Sequence, residues 1–443
     1  MADIIPFRGI YYNTNKIDSL TKVVTPPYDV ISEEEKEKFY KSHPQNIIRL
    51  ILGDSAEEEN SKNGWYSQAA FLFNKWLSED ILIQDQSPAI YLTTDEFLFE
   101  NKNITRHGLI ALAAIEPFDK GIVLPHERTY SKVKSERLEL FKKCHANFSS
   151  IFSLYQDEDN NIIKSLKQSV SGMSPKADFF DMYGHRHKIW RIIDKKAHND
   201  VSEAMKEKTI FIADGHHRYE TALNYRDWIA ENNPAFNDKH PANYVMMYLC
   251  SMKDPGLKIL PAHRVITWKH YQGAASFVQD SEKYFEISKF LSIDNDRTKT
   301  EKEFIEALKS NKSRNTIGVF MKDSPSLYLL QLKQNVMDKM FGNELSEAIK
   351  NLDVTVLTRL IFMEILGFNQ NMLDDEKLFS YITSAHGAID KVASGFGDIA
   401  FILNPTRIEQ VREIAEAGEI MPRKSTYFYP KVITGQLINK ITL

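Results

Sequence analysis

The stretch Thr209-Ile210-Phe211-Ile212-Ala213, interrupted by Asp214-Gly215 and followed by His216-His217-Arg218, constrains the fold most. Four apolar residues follow a β-branched threonine without polar alternation, which predicts a strand buried on both faces. Gly215 then permits a turn tight enough to start a helix at once, expected over 216–231 with Leu223, Trp228 and Ile229 toward the core. A strand covered on both faces needs a layer on each side, and a helix leaving its end supplies one. The pattern recurs along the chain. Strands expected over 89–98, 104–115, 150–155, 188–193 and 243–252 are interspersed with helices over 65–82, 131–147 and 160–171. Glu100-Asn101-Lys102-Asn103 supplies hairpin chemistry between the first two of those strands. Helix and strand alternate from residue 300 to the end. The expectation is a mixed α/β fold (α+β) with one division between Trp268 and Ala275.

The strand-to-helix junction is also the strongest chemical signal. The first N–H groups of a helix lack intrahelical partners, and the macrodipole favours negative charge there. Gly215 lets backbone approach a phosphate, and Arg218 can grip one through two N–H donors. Asp214 is either a Mg²⁺ ligand or an ordinary helix cap. His216 and His217 add switchable donors, or they pack. Leu124-Pro125-His126-Glu127-Arg128-Thr129 is the second feature, a loop ahead of a basic helix. Glu127 is a candidate general base, and a capping interaction with His126 is the competing reading. Leu260-Pro261-Ala262-His263-Arg264 and the tail from Met421 through Lys424 to Lys431 each place cations, either in a site or on a solvated loop. The Pro26-Pro27-Tyr28-Asp29 turn reads as structural. His185 and His187 share a strand face, and the pattern favours surface histidines over a metal pair.

Composition excludes several classes. Net charge is −4, with 26% charged and 42% hydrophobic residues, so bulk charge does not suggest binding to nucleic acid or an anionic membrane. Two cysteines, Cys144 and Cys250, leave no Cys-x-x-Cys pair and no disulfide scaffold. No apolar run approaches membrane-helix length, and the N-terminus lacks signal-peptide character, so the expected location is a reducing cytoplasm. There is no P-loop, no dinucleotide-binding glycine fingerprint and no nucleophile elbow.

These motifs, with His43-Pro44-x-Asn46 and Pro430-Lys431, occur in an order that resembles the domain-of-unknown-function family 1015 along the whole chain. Pro125-His126-Glu127 and Asp214-Gly215-His216-His217-Arg218 are also similar to motifs of the ParB-like superfamily, above all the free serine kinases. That resemblance implies a ParB/serine-kinase-like core with large insertions over 1–270, including an N-terminal extension, and a C-terminal α/β region over 271–443. The interval from Glu127 to Asp214 exceeds that of the compact kinases and implies an insertion. The cysteine of sulfiredoxin has no counterpart, so sulfinic acid reduction is not expected.

The implied activity is phosphotransfer to free L-serine from ATP, ADP or pyrophosphate with Mg²⁺, or the reverse reaction on phosphoserine. Glu127 would take the serine proton. His216 or His217 would orient the phosphate or act as acid. Asp214, Gly215, Arg218, His126 and Arg128 would bind phosphate, and His263, Arg264 or Lys424 would hold the serine carboxylate or the donor's distal phosphate. The alternatives are a ParB-like nucleotide-binding regulator, or a phosphatase or nuclease using the same turn. A small-molecule substrate is expected, with no nucleic-acid or membrane partner and a homodimer as the oligomeric option.

Overall fold

The computed structural model describes residues 1–53, 64–129, 131–291, 297–311, 314–375 and 377–442. It is a mixed α/β structure that divides into two compact units. The first comprises Met1–Lys258 with Pro430–Leu443, and the second Ile259–Tyr429. The sequence-based division at 270/271 differs for a reason of strand pairing. His263–Ile266 forms ladders only with strands of the second unit's sheet. Asn439–Lys440 instead pairs with Ala146–Asn147, and Thr434 and Ile438 bridge to Thr25 and Ile10. The last residues therefore complete the first unit.

The first unit is built on a nine-stranded sheet. Its strands are β1 (Ile4–Ile5), β2 (Ile90–Phe99), β3 (Lys102–Ala114), β4 (Val123–Leu124), β5 (Ile151–Tyr155), β6 (Ala177–Phe180), β7 (Arg186–Ile192), β8 (Ile210–Asp214) and β9 (Tyr244–Ser251). The order is β4-β8-β5-β9-β3-β2-β7-β6, with β1 also on β3. The β2–β3 hairpin turns on two residues only, Glu100 and Asn101, both at positive φ. Such a turn matches the right-handed twist of the strands.

β8 is buried from Ile210 through Ala213, as its unbroken apolar run requires. The helices α1 (Gly64–Ser78), α2 (Ser131–Cys144), α3 (Lys195–Lys206) and α4 (His216–Asn232) cover the sheet or the N-terminal segment. In α1, Trp65, Ala69, Phe73 and Trp76 recur at helical spacing and are buried. Burial of Phe73 alone contributes about 2–3 kcal/mol. No helix among the described residues is long and apolar enough to cross a membrane.

The second unit has a six-stranded antiparallel sheet of β10 (His263–Ile266), β11 (Phe285–Leu291), β12 (Thr316–Met321), β13 (Ser326–Leu332), β14 (Phe379–Ile382) and β15 (Ile399–Ile402). Their order is β11-β13-β12-β15-β10-β14. An apolar helical segment runs from Asp353 through Ile365 and carries i→i+5 winding from Val356.

Candidate functional site

Two neighbouring parallel strands create the site. β4 pairs in parallel with β8, Val123 opposite Ile210 and Leu124 opposite Phe211. The loop Pro125–Thr129 and the turn Asp214–Gly215 therefore leave the sheet at the same end. The backbone N–H of His126 donates to Nε2 of His216 at 3.2 Å and ties the loop to the first turn of α4. The two imidazoles meet edge to face, 4.7 Å between centroids. Both rings are buried, and burial pushes His126 down to about 4 and His216 well below its ordinary value. They are neutral imidazoles, so His216 does not oppose the helix dipole.

The N-cap of α4 is Gly215 at φ +95°, which offers no side-chain acceptor to the helix's first N–H groups. A β-bulge between Ile212 and Asp214 re-aims the Asp214 carboxylate at the end of β8. One oxygen of that carboxylate accepts from Lys431. The other accepts from Arg218 Nη2 at 2.6 Å. Arg218 also donates to the carbonyl of Ser150, just before β5. Its guanidinium folds back over Gly215, where an added Cβ would lie 2.7 Å from Nε. Burial would raise the Asp214 carboxyl, but Lys431 and then Arg218 outweigh it and hold it well below the usual carboxylate range. One carboxylate between two cations leaves the turn with a net positive charge.

The expected Mg²⁺ at Asp214 does not fit this arrangement. Both carboxylate oxygens are already taken by cations, and a divalent ion would sit against Lys431 and Arg218. Glu127 is half-buried in the loop tethered by His126, His217 is half-buried in the first turn, and Arg128 is exposed.

His263, Arg264 and Lys424 belong to the second unit. Nδ1 of His263 accepts the N–H of Leu403 at 3.1 Å, and burial with Arg264 nearby pushes the ring down to about 3. Arg264 is buried and donates to the carbonyls of Ala262, Arg423 and Lys424 at 2.5, 3.2 and 2.9 Å. It braces the turn at Lys424, whose φ is +56° and whose side chain is exposed. His263 and Arg264 are thus committed to backbone groups.

Lys431, which the sequence reading held only as part of a basic tail, is the cation at Asp214. Its position is fixed by a second group that the sequence reading missed. Arg106 on β3 is fully buried. It donates to Asp95 Oδ2 at 2.9 Å, to the Tyr248 hydroxyl at 3.1 Å and to the carbonyl of Pro430, next to Lys431, at 2.6 Å. On the far side of Asp95, His187 bridges Asp95 Oδ1 at 2.8 Å and Asp181 Oδ2 at 3.1 Å. His187 is 1% exposed, which corrects the expectation of a surface histidine. Burial would lower its pKa, but the hydrogen bonds to Asp181 and Asp95 outweigh burial and raise it to about 9. Burial raises Asp95 less than Arg106 and His187 lower it, so it stays ionised. The result is a buried row, Asp181–His187–Asp95–Arg106, with two charges of each sign, ending on the carbonyl beside Lys431.

Arg218 also borders a cavity of about 70 Å³ in the first unit, together with Tyr28, Arg137, Asn147 and Thr221. The Arg137 guanidinium lies 3.9 Å from the centre of the Tyr28 ring, and Tyr28 is the residue of the Pro26-Pro27-Tyr28-Asp29 turn that lines that cavity.

Among solved structures, a free serine kinase in complex with AMP aligns with 72% of this chain and 86% of its own, at 12% identity and a TM-score of 0.32. A conserved hypothetical protein from Pyrococcus furiosus aligns with 73% and 92%, at 11% identity and 0.33. SbnI with a C-terminal truncation, from Staphylococcus aureus, aligns with 74% and 86%, at 9% identity and 0.33. No curated protein matches the sequence. The family described as protein of unknown function DUF1015 matches residues 4–355, and the chain belongs to that family.

Proposed function

We propose that the protein is a phosphotransferase acting on the hydroxyl of free L-serine. The observation that carries this reading is the convergence of the Glu127 loop and the glycine-capped start of α4 at one end of two parallel strands, tied by His126 and His216. Phosphoryl transfer needs mainly positioning and charge neutralisation. The backbone N–H groups of His216 to Arg218 receive the transferred phosphoryl group, and the positive charge left by Lys431 and Arg218 around Asp214 stabilises it. Glu127 takes the proton of the serine hydroxyl as its oxygen attacks phosphorus. The bond from phosphorus to the leaving group breaks, and ATP leaves as ADP, ADP as AMP, or pyrophosphate as phosphate. The cavity bordered by Arg218 and Arg137 is the seat for the amino acid, where a buried guanidinium suits its carboxylate. His216 acts as a positioning residue, because it is a buried neutral ring that accepts from the Glu127 loop. The reverse reaction on phosphoserine uses the same groups.

Product analysis tests the reading. Purified protein is incubated with L-serine and ATP, ADP or pyrophosphate in separate reactions, with and without Mg²⁺, and products are identified by mass spectrometry. Phosphoserine from one donor is the expected result. Release of phosphate with serine unchanged would replace the reading with a hydrolase. Binding of nucleotide without turnover would replace it with a nucleotide-binding regulator.

A further inference from the structure

A second cavity, of about 120 Å³, lies in the first unit under the N-terminal segment and is used by nothing in the proposed reaction. Its walls include the side chains of Tyr11, Tyr12, Tyr91 and Phe179. The three tyrosine hydroxyls are already committed. Tyr11 donates to Asp85 Oδ1 at 3.0 Å, Tyr12 to the carbonyl of Gln45 at 2.8 Å, and Tyr91 to the other oxygen of Asp85. The rings therefore serve the cavity as apolar walls. Gln436 lines the same space and is 7% exposed, yet its amide has no hydrogen-bond partner among the described residues. That amide faces the accessible space of the cavity, where both its donor and its acceptor are open to a polar ligand. The ammonium of Lys176, 4.7 Å from the centre of the Tyr11 ring, brings a cation to the same cavity.

We propose that this cavity binds the base of a purine nucleoside or nucleotide. A carboxamide offers a donor and an acceptor side by side, which match N7 and the exocyclic N6 of adenine. Aromatic walls accept a planar base by stacking. Lys176 suits a nucleotide's phosphate. The site is distinct from the turn at Asp214. The cavity lies along β6 and β7, and β7 is five strand positions from β8, about 24 Å along the sheet. The assignment stands whether or not the protein transfers phosphate.

Calorimetric titration of the full chain with adenosine, which carries no phosphate, tests it. Saturable binding is expected, weakened at least tenfold in Gln436→Leu, with pyrophosphate affinity unchanged in the same variant. Gln436→Glu keeps the side-chain size and removes the donor, and it should also lose adenosine while melting like the wild type. Absence of saturable adenosine binding at millimolar concentration, or equal affinity in wild type, Gln436→Leu and Gln436→Glu, would overturn the proposal. Failure of pyrophosphate to bind while adenosine does would count against the phosphotransferase reading alone.

Discussion

The buried row through His187 makes a quantitative statement about stability and pH. His187 titrates near 6.5 when unfolded and near 9 in the fold. A group whose pKa is raised on folding stabilises fully below its unfolded pKa, and the contribution fades as pH rises through the folded value. The window for loss is therefore about pH 6.5 to 9. A shift from 6.5 to about 9 corresponds to about 3 kcal/mol. Asp95 and Asp181 are depressed instead. Their contributions are lost only on acidification below the ordinary carboxylate range, and they do not vary across this window. His187→Gln keeps a hydrogen-bonding side chain and cannot titrate.

Urea unfolding at pH 6 and pH 9.5, at fixed salt and with the transitions of the two units fitted separately, reads the difference. The first unit of the wild type should lose about 3 kcal/mol more than the variant between the two pH values. A titration of the His187 ring by NMR should have its midpoint near 9. Equal losses in wild type and variant, or a midpoint near 6.5, would refute a buried imidazolium held by two carboxylates.

Other consequences follow from the site. Gly215→Ala places a Cβ 2.7 Å from Arg218 Nε at φ +95°. It should destabilise the first unit by about 1–2 kcal/mol in urea unfolding and weaken pyrophosphate binding measured by calorimetry. Glu127→Gln should abolish phosphoserine formation while donor affinity stays within about twofold of wild type, because it removes a base and not an anion contact. Arg106→Lys keeps the charge but loses the forked geometry that reaches both Asp95 and the Pro430 carbonyl. It should cost about 2–3 kcal/mol of stability and lower anion affinity through the displaced Lys431, and normal affinity would separate Arg106 from the site.

Local chemistry was legible where one segment contained its own cause. Ser32 followed by Glu33, Glu34 and Glu35 announces a helix start, and Glu35 closes a capping box on Ser32. The strand-turn-helix at Asp214–His216 could be read from an apolar run, a glycine and a helical period. What escaped depended on register. A hairpin link over 100–103 pairs Asp95 with Gly108, whereas a two-residue turn at Glu100 and Asn101 pairs Asp95 with Arg106. The signal was Asn101, which tolerates positive φ in a two-residue turn, and the ion pair would have followed from it. His187 escaped for the same reason, since its other neighbour across the sheet is Asp95.

Lys431 was in view as one of several cations in the tail. Choosing it over Lys424 requires knowing that the tail crosses back to the first unit after Tyr429, which only long-range pairing decides. His263 and Arg264 are polar side chains at buried positions of β10, and nothing local distinguishes a ligand-binding residue from one that holds backbone groups.

The most direct test is the affinity of pyrophosphate for the wild type and for Lys431→Met, measured by calorimetry under the same salt. Binding by the wild type and at least a tenfold loss in the variant are expected, because Asp214 would then face the anion with Arg218 as its remaining ion-pair partner. Equal affinities, or no binding by the wild type, would contradict an anion site at the start of α4.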